Sequence, residues 1–271
     1  MPSNPDVSLA GIRALVTRPS AQGAALVAAI REAGGEATAL PLIEILPLGV
    51  ADAARIDDNQ RLLARLQQFD AAIFISSNAA RHALACLQAS DARLPGTLRC
   101  FAIGEATAAR LTAAGVAAVH GSAAMNSEEL LQRPEFAAPC ALSVLIFKGV
   151  GGRDYLAEEL VRRGAHVSAC ALYHRAAPAL TRAGFDEALR RERINVILLS
   201  SGDALANLLR LPGTGAAGTI AADIALVVPG QRVAEQARRA GFQRVEIADN
   251  ATDAAMMRAL WRLIEGSVLT P

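Results

Sequence analysis

Two spacings of apolar residues alternate along the chain. Short apolar runs stand at Ala14–Thr17, Ala72–Ile75, Cys100–Ile103, Val116–Val119, Val144–Phe147 and Val196–Leu199. Between them, apolar residues recur every three or four positions. Examples are Leu26 and Ile30 within 22–33, Ile56, Leu63 and Leu66 within 55–68, Leu156 and Leu160 after Asp154, and Met256, Met257, Leu260 and Ile264 near the end. The short runs predict strands and the spaced stretches predict helices. Gly34-Gly35, Gly115 and Gly164 punctuate the helix ends, as the left-handed C-cap favours. Asn78 is placed to cap a helix starting at Ala79, and Asn126-Ser127-Glu128-Glu129 opens another with acidic first-turn residues, which the helix dipole favours.

The pattern repeats. Arg18 and Lys148, Leu26 and Leu156, Ile30 and Leu160, and Gly34 and Gly164 each stand 130 residues apart. Further on, Ser200-Ser201 answers Ser76-Ser77, Gly230 answers Gly104, Gly241 answers Gly115, and Thr252-Asp253 answers Ser127-Glu128. Strand–helix alternation in two copies predicts an α/β protein of two similar lobes, each a parallel sheet flanked by helices. In such sheets ligands sit beyond the carboxyl ends of the strands. The loops at Arg18-Pro19, Ser76-Ser77, Gly104-Glu105, Lys148-Gly149, Ser200-Ser201 and Pro229-Gly230 fall there, and a cleft between lobes is implied.

Two segments break the rhythm: Ala37–Pro47 (ATALPLIEILP) and Val167–Pro178 (VSACALYHRAAP). Each follows a helix that ends in glycine, and each reads as an extended stretch leading out of one folded unit towards another. The second carries Tyr173, one of two tyrosines.

Composition narrows the function classes. A chain of 271 residues with 52% apolar residues and a net charge of +1 predicts two compact domains, with nothing to attract nucleic acid. Lys148 is the sole lysine among 27 basic residues. Cys86, Cys100, Cys140 and Cys170 are scattered without CxxC spacing, so neither a metal site nor a disulfide scaffold is expected. The N-terminus lacks a signal-peptide pattern, and no apolar stretch reaches the ~18 residues of a membrane span. A cytoplasmic protein with no membrane partner is expected, and a monomer suffices.

Chemistry is sparse in the spacing alone. The serine pairs read as helix caps that also face a ligand, and no G-x-S-x-G elbow surrounds them. Gly149-Val150-Gly151-Gly152 matches neither phosphate-loop fingerprint. His82, His120, His166 and His174 share no ligand spacing, and His82 reads as a surface residue. Tyr173 and His174, adjacent on a strand, point to opposite faces. By itself Tyr173 reads as a core or interface residue sooner than as an acid.

The ordered set VTRP (16–19), FISSNA (74–79), AIGEATA (102–108), FKGVGGRDYLAEEL (147–160), ALYHRAAP (171–178), LLSSGDAL (198–205) and GFQRVEIADNATDAAM (241–256) resembles the uroporphyrinogen-III synthase family over about residues 11–261. The resemblance implies two lobes joined by a two-stranded antiparallel linker ladder. Lobe 1 is then 1–40 with 177–271, lobe 2 is 49–166, and the linker strands are 41–48 and 167–176. It implies a hydro-lyase that closes the linear tetrapyrrole hydroxymethylbilane to uroporphyrinogen III, inverting ring D and losing water, with no metal or organic cofactor.

The family's proposed route runs through an azafulvenium cation and a spiro intermediate. The resemblance makes Tyr173 the donor to the departing hydroxide. It places Arg18, Ser76, Ser77, Thr107, Lys148, Arg153, Ser200 and Thr252 against the eight substrate carboxylates. Helix capping and solvated charge are the competing roles for these residues. One departure is Gly230-Gln231-Arg232-Val233-Ala234, where the Thr107 hydroxyl has no counterpart and Arg232 either faces the cleft or lies on the surface. A two-lobed binding protein without catalysis is the alternative, and a nucleotide-sugar transferase lacks a phosphate fingerprint.

Overall fold

The computed structural model describes residues 8–119, 126–152, 154–211 and 224–265. The chain divides into two compact units, Met1–Glu44 with Ala176–Pro271, and Ile45–Arg175.

In the first unit, β1 (Arg13–Val16), β2 (Glu36–Ala39), β10 (Val196–Leu198), β11 (Ala225–Pro229) and β12 (Val245–Ala248) form one sheet in the order β12-β11-β10-β1-β2. Every pairing in it is parallel. In the second, β4 (Ala71–Phe74), β5 (Arg99–Ala102), β6 (Ala118–Val119), β7 (Ser143–Lys148) and β8 (His166–Ala171) give the order β6-β5-β4-β7-β8, again wholly parallel. The two orders match strand for strand if β4 is set against β10 and β7 against β1. The first unit therefore takes its β1 and β2 from the start of the chain and its other three strands from the end.

Burial follows strand alternation. In the second unit Ala72, Phe74, Leu145 and Phe147 face one side of the sheet with Ala79, Ala83 and Leu87, while Ile73, Phe101 and Ile146 face Leu130, Phe136 and Leu160 on the other. Phe74 and Phe147 stack at 4.7 Å. The first unit packs Ala14, Val16, Val196, Leu198 and Val227 against Leu26, Ile30, Met256 and Leu260. With helices on both faces, the central strands need no polar side, which is why they read as unbroken apolar runs.

Helices α1 (Ser20–Glu32), α2 (Ala53–Leu63), α3 (Ser77–Ala89) and α4 (Glu105–Ala113) precede the short α5 (Ser127–Leu131) and α6 (Pro134–Ala137). They are followed by α7 (Tyr155–Arg162), α8 (Arg182–Arg191), α9 (Gly202–Leu209), α10 (Gln231–Arg239) and α11 (Asp253–Glu265). Their caps correct two expectations. Ser76, not Asn78, caps α3: its backbone is extended (φ −165°, ψ 161°) and its hydroxyl accepts the Ala79 N–H. A cap needs that extended backbone and an oxygen three residues before its donor, so α3 begins two residues earlier than the sequence suggested.

The repeat also shifts by a residue. Ser76 matches Ser201, which caps α9 by accepting from the Ala204 N–H. Asn126, which accepts from the Glu129 N–H, matches Thr252, which accepts from the Ala255 N–H. The helix expected over 55–68 ends at Leu63 and is followed by a 3-10 turn at Leu66–Gln68.

The expected linker strand from Val167 divides in two. Residues up to Ala171 belong to β8 and pair in parallel with β7. After Leu172, β9 (Tyr173–Ala176) pairs with β3 (Glu44–Pro47) in a separate antiparallel ladder. Alternation continues through Leu172, so the change of sheet leaves no mark in the local pattern.

Arg163 ties the end of α7 to its neighbours, donating to the carbonyls of Leu131 at 2.5 Å and Phe136 at 2.9 Å. Its other donor and Arg162 hold Glu159, whose carboxyl is drawn from near 4.5 down to about 2 by the Arg162 bond first and the Arg163 bond second. A depressed carboxylate adds stability above its unfolded pKa and loses it as pH falls through the folded one. The thermal midpoint is therefore expected to fall more steeply between pH 4.5 and pH 2 in the unaltered protein than in Glu159→Gln. Parallel curves from calorimetry would show that this ion cluster is inert.

Candidate active site

The carboxyl end of the second sheet is organised around Tyr173. Two backbone bonds bind its neighbourhood to the loop after β7: Leu172 N–H to the Lys148 carbonyl at 2.9 Å, and Val150 N–H to the Tyr173 carbonyl at 2.7 Å. They press the aromatic ring against Gly149, where a Cβ would lie 2.8 Å from Tyr173 Cε2 and 2.9 Å from Cζ. The first glycine of the Gly149–Gly152 run is thus there for close approach of a ring, not for a phosphate.

The His82 ring stacks on Tyr173 at 5.0 Å with 22° between planes. Burial first, and the Arg81 charge second, push the imidazole down from its usual value, so at pH 7 it is a neutral aromatic surface. Tyr173 is fully buried. Its hydroxyl lies 3.1 Å from Ser76 Oγ, and Ser76 Oγ also accepts the Ala79 N–H at 3.1 Å. His174 points the other way, with Nε2 2.9 Å from Asp52 Oδ1. The Gly49 N–H first and His174 second hold Asp52 below the usual carboxylate range.

Of the remaining residues expected at the site, Ser77, Thr107, Lys148, Arg18 and Thr252 are engaged within their own units. Ser77 Oγ accepts from Arg110 Nε at 2.9 Å. Thr107 is 2% exposed and donates to the Ile103 carbonyl at 2.7 Å, so its hydroxyl is spent on its own helix entry. Lys148 pairs with Asp154. Arg153 lies outside the described residues. In the first unit Arg18 pairs with Asp253 and donates to the Ala251 carbonyl, while Thr252 caps α11. Ser200 is half-buried beyond β10, beside the capping Ser201. The Arg232 guanidinium stands over the start of α9, where a Cβ on Gly202 would lie 3.5 Å from Nη1.

The structure therefore gathers Tyr173, Ser76 and Lys148 at one sheet end, and Arg18 and Thr252 at the other sheet's end. It adds the packing of His82 and Gly149 on the Tyr173 ring, where the sequence had placed His82 on the surface and Gly149 only in a ligand-facing loop. His82 stands three residues after Ala79 and one before Ala83, beside the buried stripe of α3. That was the available signal, although it does not say what the ring would meet. Among the described residues, no His, Cys, Asp or Glu group could hold a metal ion, and no helix is long and apolar enough to cross a membrane.

The family model for uroporphyrinogen-III synthase HemD matches residues 24–258. The chain belongs to the uroporphyrinogen-III synthase family. Among its relatives is the uroporphyrinogen-III synthase of Salmonella typhimurium, 35% identical over 249 residues, which are 91% of this chain and 98% of the relative. The corresponding Escherichia coli synthase is 33% identical over the same shares. A mutant synthase structure from Thermus thermophilus aligns over 94% of this chain and 99% of its own, with TM-score 0.61 and 16% identity. The Helicobacter pylori structure gives 0.57 over 93% and 99%, at 14% identity. At those identities the structures speak for the fold alone, an α/β chain with parallel sheets flanked by helices.

Proposed function

We propose that this chain closes hydroxymethylbilane to uroporphyrinogen III, inverting ring D and releasing water, as a hydro-lyase that acts as a cytoplasmic monomer on a small molecule. The observation that carries this reading is the match to a curated synthase along 91% of the chain. The residues supply what the reaction asks for. Hydroxide is a poor leaving group and needs a proton, and a phenol hydroxyl is a group that can donate one. Tyr173 is that phenol.

The second need is orientation. Ring D must present its substituted carbon to the cation, and many weak contacts to the carboxylates serve that purpose. Ser77 and Ser200 bring hydroxyls to the strand ends, and Lys148 and Arg18 bring cations. These cations already hold Asp154 and Asp253, so a substrate carboxylate binds by exchange with an internal partner. Such exchange favours ligands with several carboxylates over those with one. The reaction requires no redox step and no electrophile beyond the proton, so side chains suffice.

The test is the product isomer. Purified protein supplied with hydroxymethylbilane, followed by oxidation and separation of the porphyrins, is expected to give mainly type III. Type I alone at the uncatalysed rate would overturn the reading and leave a tetrapyrrole-binding protein.

A further inference from the structure

Tyr173 has no exposed surface, so in this arrangement its proton cannot pass directly to a ligand. The hydroxyl faces Ser76 Oγ at 3.1 Å, and Ser76 is half-buried at the carboxyl end of β4. A serine hydroxyl carries one proton and two lone pairs. The Ala79 N–H occupies one lone pair at 3.1 Å, which orients the oxygen. The second can accept the phenol's proton while the serine's own proton is directed elsewhere.

We infer that Ser76 delivers the proton to the departing hydroxyl and Tyr173 replenishes it, an inference that rests on the reaction proposed above. As the substrate C–O bond breaks with its electron pair on oxygen, the Ser76 proton completes a water molecule. The Tyr173 proton moves to Ser76 Oγ and leaves a phenolate. The ring-D carbon that makes the final bond loses its proton on re-aromatisation, and that proton returns through Ser76 to Tyr173. Protons and charge balance over the cycle with no outside acid.

His82 and Gly149 complete the device. Stacking on His82 and close contact at Gly149 hold the ring, which keeps its hydroxyl against Ser76. Ser201 is the same cap in the other unit, and both tyrosines of the chain, Tyr155 and Tyr173, fall in the second unit. The pairing with a phenol is what distinguishes Ser76 from an ordinary cap.

Three substitutions separate proton transfer from capping. Ser76→Thr keeps the cap and the proton; Ser76→Asn keeps a capping oxygen but has no transferable proton; Ser76→Ala has neither. For type III formation, Asn and Ala are expected to lower kcat about 10- to 100-fold with KM within about 3-fold, while Thr stays within about 3-fold of the unaltered protein. Asn is expected to keep the melting temperature that Ala loses. In a Tyr173→Phe background, Ser76→Ala is expected to cost less than about 2-fold more, since the two groups act as one unit.

Full turnover in Ser76→Asn would overturn the inference and leave Ser76 as a cap. Equal losses in both backgrounds would overturn it too. Absence of type III product from the unaltered protein would instead defeat the underlying reading.

Discussion

Tyr173→Phe is expected to lower kcat for type III formation by about 100-fold or more, with KM little changed. The change removes one oxygen and leaves the ring against Gly149 and stacked on His82. No buried partner is orphaned, because Ser76 Oγ keeps the Ala79 N–H. The lost hydroxyl bond is worth about 1 kcal/mol net, which corresponds to a melting shift of about 2–6 °C for a unit of this size. A large kinetic loss with a small thermal one marks a group used in the transition state. Turnover within a few-fold of normal would make Tyr173 a packing residue of the linker, and the acid would have to be sought elsewhere.

Gly149→Ala should be nearly as damaging, for a different reason. Its methyl carbon would sit 2.8 and 2.9 Å from two ring carbons of Tyr173, where carbon contacts ordinarily settle at about 3.5–4.0 Å. The obstacle is a fully buried aromatic ring, not the loose end of a flexible chain. Relief therefore requires the ring or the loop after β7 to move, at about 1–3 kcal/mol. Because the Tyr173 hydroxyl is aligned on Ser76 through that ring, displacement of about 1 Å is expected to lower turnover about 100-fold.

Gly151→Ala is the comparison: φ there is +70° and nothing lies within 4 Å. It strains the same loop without crowding the ring, and its turnover should stay close to normal. Circular dichroism melts and product-isomer assays on both variants check this. Normal turnover in Gly149→Ala would show that the contact is dispensable.

Much of the architecture was legible from local pattern. Continuous apolar runs such as Ala72–Phe74 belong to strands covered on both faces, and glycines such as Gly104 and Gly230, both with φ near +80°, mark the same turn in two copies of one unit. The family's ordered motifs then pointed to Tyr173 and the serine loops. Less visible was how these residues are used. Thr107 resembles a ligand-facing hydroxyl in sequence, yet Ile103 takes it; Arg18 and Lys148 look like free cations, yet each holds an aspartate.

By itself the sequence determined the strand–helix alternation, the duplication and the tyrosine-bearing segment, because periodicity, caps and glycine stops act over a few residues. Only the tertiary structure decided that β8 ends and β9 begins around Leu172, that Ser76 is the cap, and that His82 and Gly149 enclose the ring. The reason is distance along the chain. Ser76 and Tyr173 are 97 residues apart yet 3.1 Å in contact, and no local pattern encodes a meeting of that kind.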